Sequence, residues 1–584
     1  MTAPAAALSP GFPAMPIAHA HTMLTAPGTP FELTEGEVNG ATMRIYKNAP
    51  PHLGLLLMAS KAHGDKPFLV FEEERVSFAA HLKAVEQLAG VLSVHYGIRK
   101  GDRVAIAMRN YPQWSVAFFA AVLVGAIAVP LNAWWTGEEL TYGLSDSGAR
   151  LAIVDPERRE RIGANWGELP GLEAMIVARA TEEEGDPRVR TLESFIGPAT
   201  TWDGLDSIGF PPVSLAADDP VTIFYTSGTT GRPKGALGSH RGIISNMLNS
   251  LACQARAFLR KGEAPPQPDP SLPQRATLVS VPFFHATGCF AVLVPNLASG
   301  GRLVLFYKWD PGEALKMIER ERINAIGGVP AIAWQVLEHP DRDKYDLSSI
   351  DVVSYGGAPS APELVTTIKR RFPNAFPGNG WGMTETSATA TLNIGDDYVN
   401  RPDSAGHPAP AVELKVVNPE GQTLPTGEIG ELWTRGPNNA LGYWNKPDAT
   451  ASTFVDGWVV TGDLARIDAE GFLYIVDRAK DMLIRGGENV YCVEVESCLY
   501  AHPAVMDAAV VGIPHKVLGE EVGAVVQVKP GREVTASELR SHVAERLAAF
   551  KVPVEVVIQA EPLPRNANGK ILKRDLKGLF QSRG

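Results

Sequence analysis

The sequence predicts an α/β fold: a large N-terminal domain of parallel-type sheets flanked by helices, a β-rich subdomain, and a small, mobile α+β C-terminal domain. Three observations carry that prediction. Apolar strand-like runs alternate with helix-compatible stretches through most of the chain. Near residue 430 the texture changes to short strands separated by turns. Beyond Lys480 lies a compact unit of about one hundred residues, an ordinary domain size. The expected division is a mobile tail over 1–30, an N-terminal domain over 31–477 and a C-terminal domain over 478–584, with a hinge near Lys480.

Residues 1–30 are rich in Ala and Pro, and the first arginine of the chain is Arg44, so neither a basic secretory leader nor an Arg-rich transit peptide is expected. Trp114 to Trp135 lack charge and are long enough for a membrane span. Gly125 and Pro130 argue instead for a buried helix ending near Gly125 and a short strand in AIAVPLN. RVAIAM, AIAVPL, RLAIVD, VTIFYT, TLVSVP, RLVLFY, AIGGVP and DVVSYGG read as strands of parallel sheets. Ligands of such sheets collect at the C-terminal ends of the strands. GELWTRG, GWVVTGD, DLARID and GFLYIVDRAK look antiparallel. In the last unit VMDAAVVGIP and EVGAVVQVKP supply strands and TASELRSHVAERLAAF a helix.

At 584 residues, with 45% hydrophobic and 20% charged residues, the chain has ample length for a large core. A net charge of −11 argues against a general nucleic-acid surface, so an anion site must be local. The four cysteines are too few for a disulfide framework and show no CxxC pairing for zinc, and a reducing cytoplasm is the expected setting.

YTSGTTGRPKG, residues 225–235, follows the strand-like run Val221 to Tyr225. Glycines let backbone N–H groups turn toward a polyphosphate, Thr226, Ser227, Thr229 and Thr230 add hydroxyl donors, and Arg232 and Lys234 supply countercharge. The ordinary P-loop, Gly, four residues, then Gly-Lys-Ser/Thr, occurs nowhere. Further motifs follow in order: PFFHATG at 282–288, GGAP at 356–359, GWGMTET at 380–386, TGD at 461–463, DRAKDMLIRGGENVY at 477–491 and PRNANGK at 564–570.

Seven motifs in this register resemble the adenylate-forming superfamily of acyl-CoA synthetases, firefly-type luciferases and peptide-synthetase adenylation domains, over about residues 60 to 580. The resemblance implies ATP, Mg²⁺ and CoA as cofactors. A carboxylate is a poor acyl donor, and attack on the ATP α-phosphate converts it to an acyl adenylate, gathering negative charge that donors, a metal and lysines must stabilise.

By resemblance, Thr226, Ser227, Gly228, Thr229, Thr230, Gly231 and Lys234 hold the phosphates. Gly357, Ala358 and Pro359 form a wall against adenine, and Gly380, Trp381, Gly382 and Met383 frame the nucleotide. Thr384 takes the α-phosphate and Glu385 the Mg²⁺, although Thr-Glu alone reads as a helix-start cap. Trp381 stands where many relatives carry Tyr. Asp463, assisted by Arg478, accepts the ribose hydroxyls; by the residues alone a turn aspartate fits as well. Lys570 bridges carboxylate and α-phosphate. His285 borders the acyl and pantetheine channels or simply caps the helix beside it. Lys480 is the hinge, and Gly486, Gly487, Glu488 and Asn489 replace Lys570 at the site after rotation. Cys492 stands where many relatives carry Pro.

His285, Gly288, Gly327, Trp334, Tyr355 and Gly356, with Gly380, Met383 and Thr384, are the candidate acyl-pocket positions. They hold no isolated cation for a second carboxylate and no Asp for an amino-acid ammonium. The expected substrate is therefore a hydrophobic monocarboxylic acid, a medium or long fatty acid first and an aryl or ring-bearing acid second. A carrier-protein acceptor and a luciferase-like oxygenase share the nucleotide motifs. No nucleic-acid partner and no membrane span are expected; peripheral membrane association and a homodimer stay open.

Overall fold

The computed structural model describes residues 8, 9, 11–180, 182, 185–226, 232–267, 269, 271–358, 360, 362–486, 488–565 and 570–581. Ser227, Gly228, Thr229, Thr230, Gly231, Pro359 and Gly487, expected at the site, lie outside the described residues.

The large domain is built on two sheets. In the eight-stranded sheet, Pro220–Thr226, Ile127–Pro130, Arg103–Ala107, Leu151–Val154, Ala174–Val177 and Val189–Thr191 run parallel, and Lys234–Ser239 and Gly442–Tyr443 add an antiparallel edge. In the nine-stranded sheet, Phe376–Trp381, Val352–Gly356, Ala325–Gly328, Ala276–Val279, Arg302–Leu305 and Pro67–Phe71 are parallel between antiparallel edges.

The charge-free stretch of the sequence explains how the sheets are joined. Every residue of the helix Pro112–Leu123 is buried, Gly125 takes φ +73° to reverse the chain, and Ile127–Pro130 follows as a strand. Trp114, Phe118 and Phe119 of this helix share one core with Val104 and Ile153 of one sheet and Leu69 and Leu303 of the other. Each fully buried aromatic of this layer contributes roughly 1.5–3 kcal/mol. Among the described residues no helix is long and apolar enough to cross a membrane.

The β-rich subdomain is a five-stranded antiparallel sheet that ends with Trp458–Ile467 paired to Leu473–Arg478. Five residues later the small domain begins, with Leu483–Arg485, Glu488–Val490, Val505–His515, Gly519–Val528 and Glu555–Gln559 in one sheet under the helices Cys492–Tyr500, Ala536–Ala544 and Lys573–Gln581. It has its own core around Val495, Val510 and Val526.

Residues 11–30 correct the expectation of a mobile tail. Ile17–Leu24 is a helix whose Ala20 and Leu24 bury against Ala255 and Leu259. Arg260 donates to the Met15 carbonyl at 2.6 Å, and Arg256 lies 3.1 Å from the His21 ring. Composition concealed the helix. Ile17, Ala20 and Leu24 repeat at one helical face, a pattern too short to stand out among alanines and prolines.

Candidate active site

Three adjacent parallel strands, Ala325–Gly328, Val352–Gly356 and Phe376–Trp381, run side by side and carry glycines near their C-terminal ends, at Gly327, Gly328, Gly356 and Gly380. The reason is contact. A Cβ on Gly356 would meet the Gly380 carbonyl oxygen at 2.5 Å, and one on Gly382 would meet the Ala388 carbonyl oxygen at 1.9 Å. The floor is therefore bare backbone, where neighbouring segments pack directly on one another.

Past this floor the chain makes one turn of 3₁₀ helix, Thr384–Thr386. Thr386, not Thr384 or Glu385, provides the local cap: the Met383 N–H donates to its hydroxyl at 3.0 Å. Thr384 is left half-buried, and Glu385 is buried with its carboxylate accepting from the Tyr443 hydroxyl at 2.5 Å. Lys234, at the exit of the phosphate loop, places its ammonium 4.1 Å from the centre of the same Tyr443 ring. Burial and the Glu385 charge both hold the Tyr443 phenol protonated, so it remains a donor. Tyr443 is a candidate site residue that sequence reasoning missed. It lies in a short GY strand outside every motif, and its pairing with Ala236 alone brings it between Lys234 and Glu385.

Asp463 and Arg478 face each other in antiparallel register, with the guanidinium 3.3 Å from one carboxylate oxygen. The other oxygen accepts the Trp381 indole N–H at 2.8 Å. Trp381 thus orients the aspartate with the only polar atom of its side chain, while its ring packs against the clusters around Ala405 and Ala409. Replacing Trp381 with Phe keeps the ring and removes this charged hydrogen bond; KM for ATP is expected to rise about tenfold, with kcat changed less, in steady-state assays.

Lys570 sits among these groups, partly buried. The chain beside it is tied by the Arg565–Ile571 bridge and by the Leu572 N–H to the Pro564 carbonyl at 2.8 Å. Burial pushes its pKa down from 10.5 to about 8, Arg478 and Lys480 add to the fall, and Asp463 and Glu385 oppose it. Asp463, Arg478, Glu385, Lys480 and Lys570 therefore converge on one place, from elements far apart in sequence.

Other expected residues lie elsewhere. Gly486, Glu488 and Asn489 are exposed on the hairpin joining Leu483–Arg485 to Glu488–Val490. The Cys492 N–H donates to the Asp477 carboxylate, a bond that proline could not make. Of the acyl-pocket set, Gly327 and Gly356 belong to the floor, and His285 is half-buried with its ring 4.7 Å from that of Phe284. Gly288 is a packing spacer: a Cβ there would lie 2.1 Å from the Pro282 carbonyl oxygen. Tyr355 points into the core behind the sheet, its hydroxyl 2.6 Å from that of Tyr398. Trp334 stands at the domain boundary, 5.5 Å from the Lys529 ammonium. Thr226 ends its strand beside Lys234, whose carbonyl its hydroxyl reaches at 3.3 Å. Ala358 follows the exposed Gly357, which has φ +75°.

Among the described residues no cluster of His, Cys, Asp and Glu could hold a metal by itself. The single buried carboxylate of Glu385 fits a hard cation that takes most of its oxygens from phosphates and water.

The model of AMP-binding enzymes matches residues 57–444, and that of the AMP-binding enzyme C-terminal domain matches residues 494–570. The chain belongs to the AMP-binding enzyme family. It is 35% identical to a feruloyl-CoA synthase of an Amycolatopsis species over 505 residues, covering 86% of this chain and 94% of the relative. It is 32% identical to a long-chain-fatty-acid–CoA ligase of Bacillus subtilis over 539 residues, 88% and 91% of the two chains. A solved anthranilate CoA ligase in complex with anthranoyl-AMP superposes with a TM-score of 0.81 at 27% identity, over 91% of this chain and 98% of that one. This AMP-binding enzyme is an acid–thiol ligase of the AMP-forming type, working through an acyl adenylate.

Proposed function

We propose that the enzyme activates a hydrophobic monocarboxylic acid with Mg-ATP and transfers the acyl group to CoA. The observation that carries this reading is the placement of Lys570 among Asp463, Arg478 and Glu385. A carboxylate oxygen of the acid attacks the α-phosphorus, the bond to the bridging oxygen breaks, and pyrophosphate leaves. Lys570 spans the carboxylate and the α-phosphate, Thr384 donates to an α-phosphate oxygen, and Asp463 accepts from the ribose hydroxyls. Glu385 would hold a Mg²⁺ ion, whose charge would offset that of the departing phosphates. In the second step the CoA thiolate attacks the acyl carbon and AMP departs. Lys570 must vacate the site for the pantetheine arm, and rotation about Lys480 brings Gly486, Glu488 and Asn489 in its place.

With Tyr355 turned into the core and Trp334 at the domain boundary, the strand ends of the candidate acyl pocket carry glycines, which supports a planar acid. An aryl or arylalkenyl carboxylic acid is therefore the first reading, in keeping with the likeness to feruloyl-CoA and anthranilate ligases, and a fatty acid the second. Pyrophosphate release over benzoates, cinnamates, ring-bearing propionates and C6 to C18 fatty acids, with and without CoA, tests it. Turnover confined to planar acids supports the first reading, a rise with chain length replaces it with the second, and turnover indifferent to CoA overturns CoA as acceptor.

The pH dependence follows from Lys570. Its ammonium form is the one that bridges anions, so kcat/KM for adenylation should fall above about pH 8, roughly tenfold per unit. The limb in kcat should lie higher, because bound phosphates favour the charged form. Stability runs the other way. Between about 8 and 10.5 the unfolded state holds the proton that the folded state has lost, so this group makes folding more favourable as pH rises through that window. A pH profile of pyrophosphate exchange that stays flat to pH 10 would remove Lys570 from this role.

A further inference from the structure

Away from the Lys570 cluster, the two domains meet again around a cavity of about 200 Å³. Trp334, Glu338, Glu363 and Arg370 line it from the large domain, and Tyr500 and Lys529 from the small one. The Lys529 ammonium lies 5.5 Å from the centre of the Trp334 ring. Glu338 and Glu363 attract it, while Arg370 of the large domain and Arg532 on its own turn repel it. The cation thus faces a ring across the boundary and lies in the field of two carboxylates of the other domain.

A continuous set of contacts links this boundary to Lys570. The Lys529 N–H donates to the Ala504 carbonyl at 2.9 Å, anchoring it to the segment that lines the cavity. In that segment the Tyr500 hydroxyl donates to Asp507 at 2.5 Å. The second oxygen of Asp507 pairs with the Arg565 guanidinium. Arg565 in turn bridges to Ile571, the residue next to Lys570. A shift of the small domain at Trp334 is therefore carried to the catalytic ammonium through packed and ion-paired groups.

We propose that Lys529 is a positioning residue for adenylation: seated over Trp334 across the domain boundary, it holds the small domain where Lys570 reaches the site, and it takes no part in thioester formation. The proposal rests on the two-orientation reading given above. Both half-reactions are measured separately, as ATP–pyrophosphate exchange and as conversion of a synthetic acyl-AMP plus CoA, using benzoyl-AMP or lauroyl-AMP according to which acid the enzyme turns over. Lys529→Ala should lower exchange about three- to tenfold, the span of a partly desolvated cation–π contact, with thioester formation from acyl-AMP unchanged. Lys529→Arg should restore exchange, because a guanidinium also stacks on indole. Trp334→Ala should match Lys529→Ala, and the double variant should lose little more than either single one.

An intact thioester step shows that each variant is folded. Equal loss of both half-reactions in Lys529→Ala, or undiminished exchange, overturns the proposal. Lys570→Ala serves as the control: if it separates the half-reactions while Lys529→Ala does not, the positioning role alone is wrong. If Lys570→Ala impairs both alike, the two-orientation reading fails and takes this proposal with it.

Discussion

Lys570→Ala will lose adenylation by roughly a hundred- to a thousandfold, the usual effect of removing one preorganised donor from a developing charge, while still converting supplied acyl-AMP and CoA to the thioester. The expectation follows from where the ammonium sits. Asp463 and Glu385 attract it and Arg478 and Lys480 repel it, so it sits in a field of fixed protein charges. A donor held in that way costs little reorganisation when the α-phosphate gathers charge. Lys570→Arg keeps the charge but not the compact ammonium and is expected to recover only part of the rate. Pyrophosphate exchange and thioester formation, assayed separately, decide the matter; equal loss in both would show that Lys570 holds the fold and not the adenylation step.

Asp397→Ala will destabilise the large domain by roughly 3–5 kcal/mol, because it strands a buried cation. Arg260 and Asp397 form a two-pronged ion pair at 2.6 and 3.1 Å, with side-chain exposures of 2% and 6%. The Met15 carbonyl completes the guanidinium's partners at 2.6 Å, and the Phe12 ring lies 5.2 Å away. Removing the aspartate leaves Arg260 neither solvated nor paired, and the N-terminal helix that it anchors should loosen with it. A thermal midpoint lowered by roughly 10 °C and faster proteolysis before residue 30 are the expected readouts. Replacing both partners with apolar residues should cost far less than the single change. An Asp397→Ala protein that melts with the wild type would show that Arg260 finds another partner.

The fold class and the residues that converge around Lys570 were legible in the chain because they are written in local terms. Parallel strands buried on both faces read as apolar runs, and a backbone that must touch another backbone or a phosphate reads as glycine. Glu385, Asp463 and Lys570 could be named from the frames around them. The acyl pocket was read less well, for a reason visible in one strand. Side chains alternate across a sheet, so if Gly356 faces the ligand, Tyr355 must face the core. Motif order had placed both on the same side. Trp334 and Gly288 were misplaced in the same way, since their surroundings depend on which helix packs where.

By itself the sequence determined the layered α/β architecture, the change to antiparallel structure near residue 430, the small final domain and the chemistry of the nucleotide motifs. Each of these depends on short-range preferences: burial periodicity, turn residues and the charge a phosphate needs. Only the tertiary structure decided that Tyr443 stands between Lys234 and Glu385, that Trp381 steers Asp463, that residues 11–30 are docked, and that Lys529 meets Trp334 across the domain boundary. Those contacts join residues separated by tens to hundreds of positions. The free energy that selects them is the burial of whole faces and the pairing of charges within them, which no window of neighbouring residues contains.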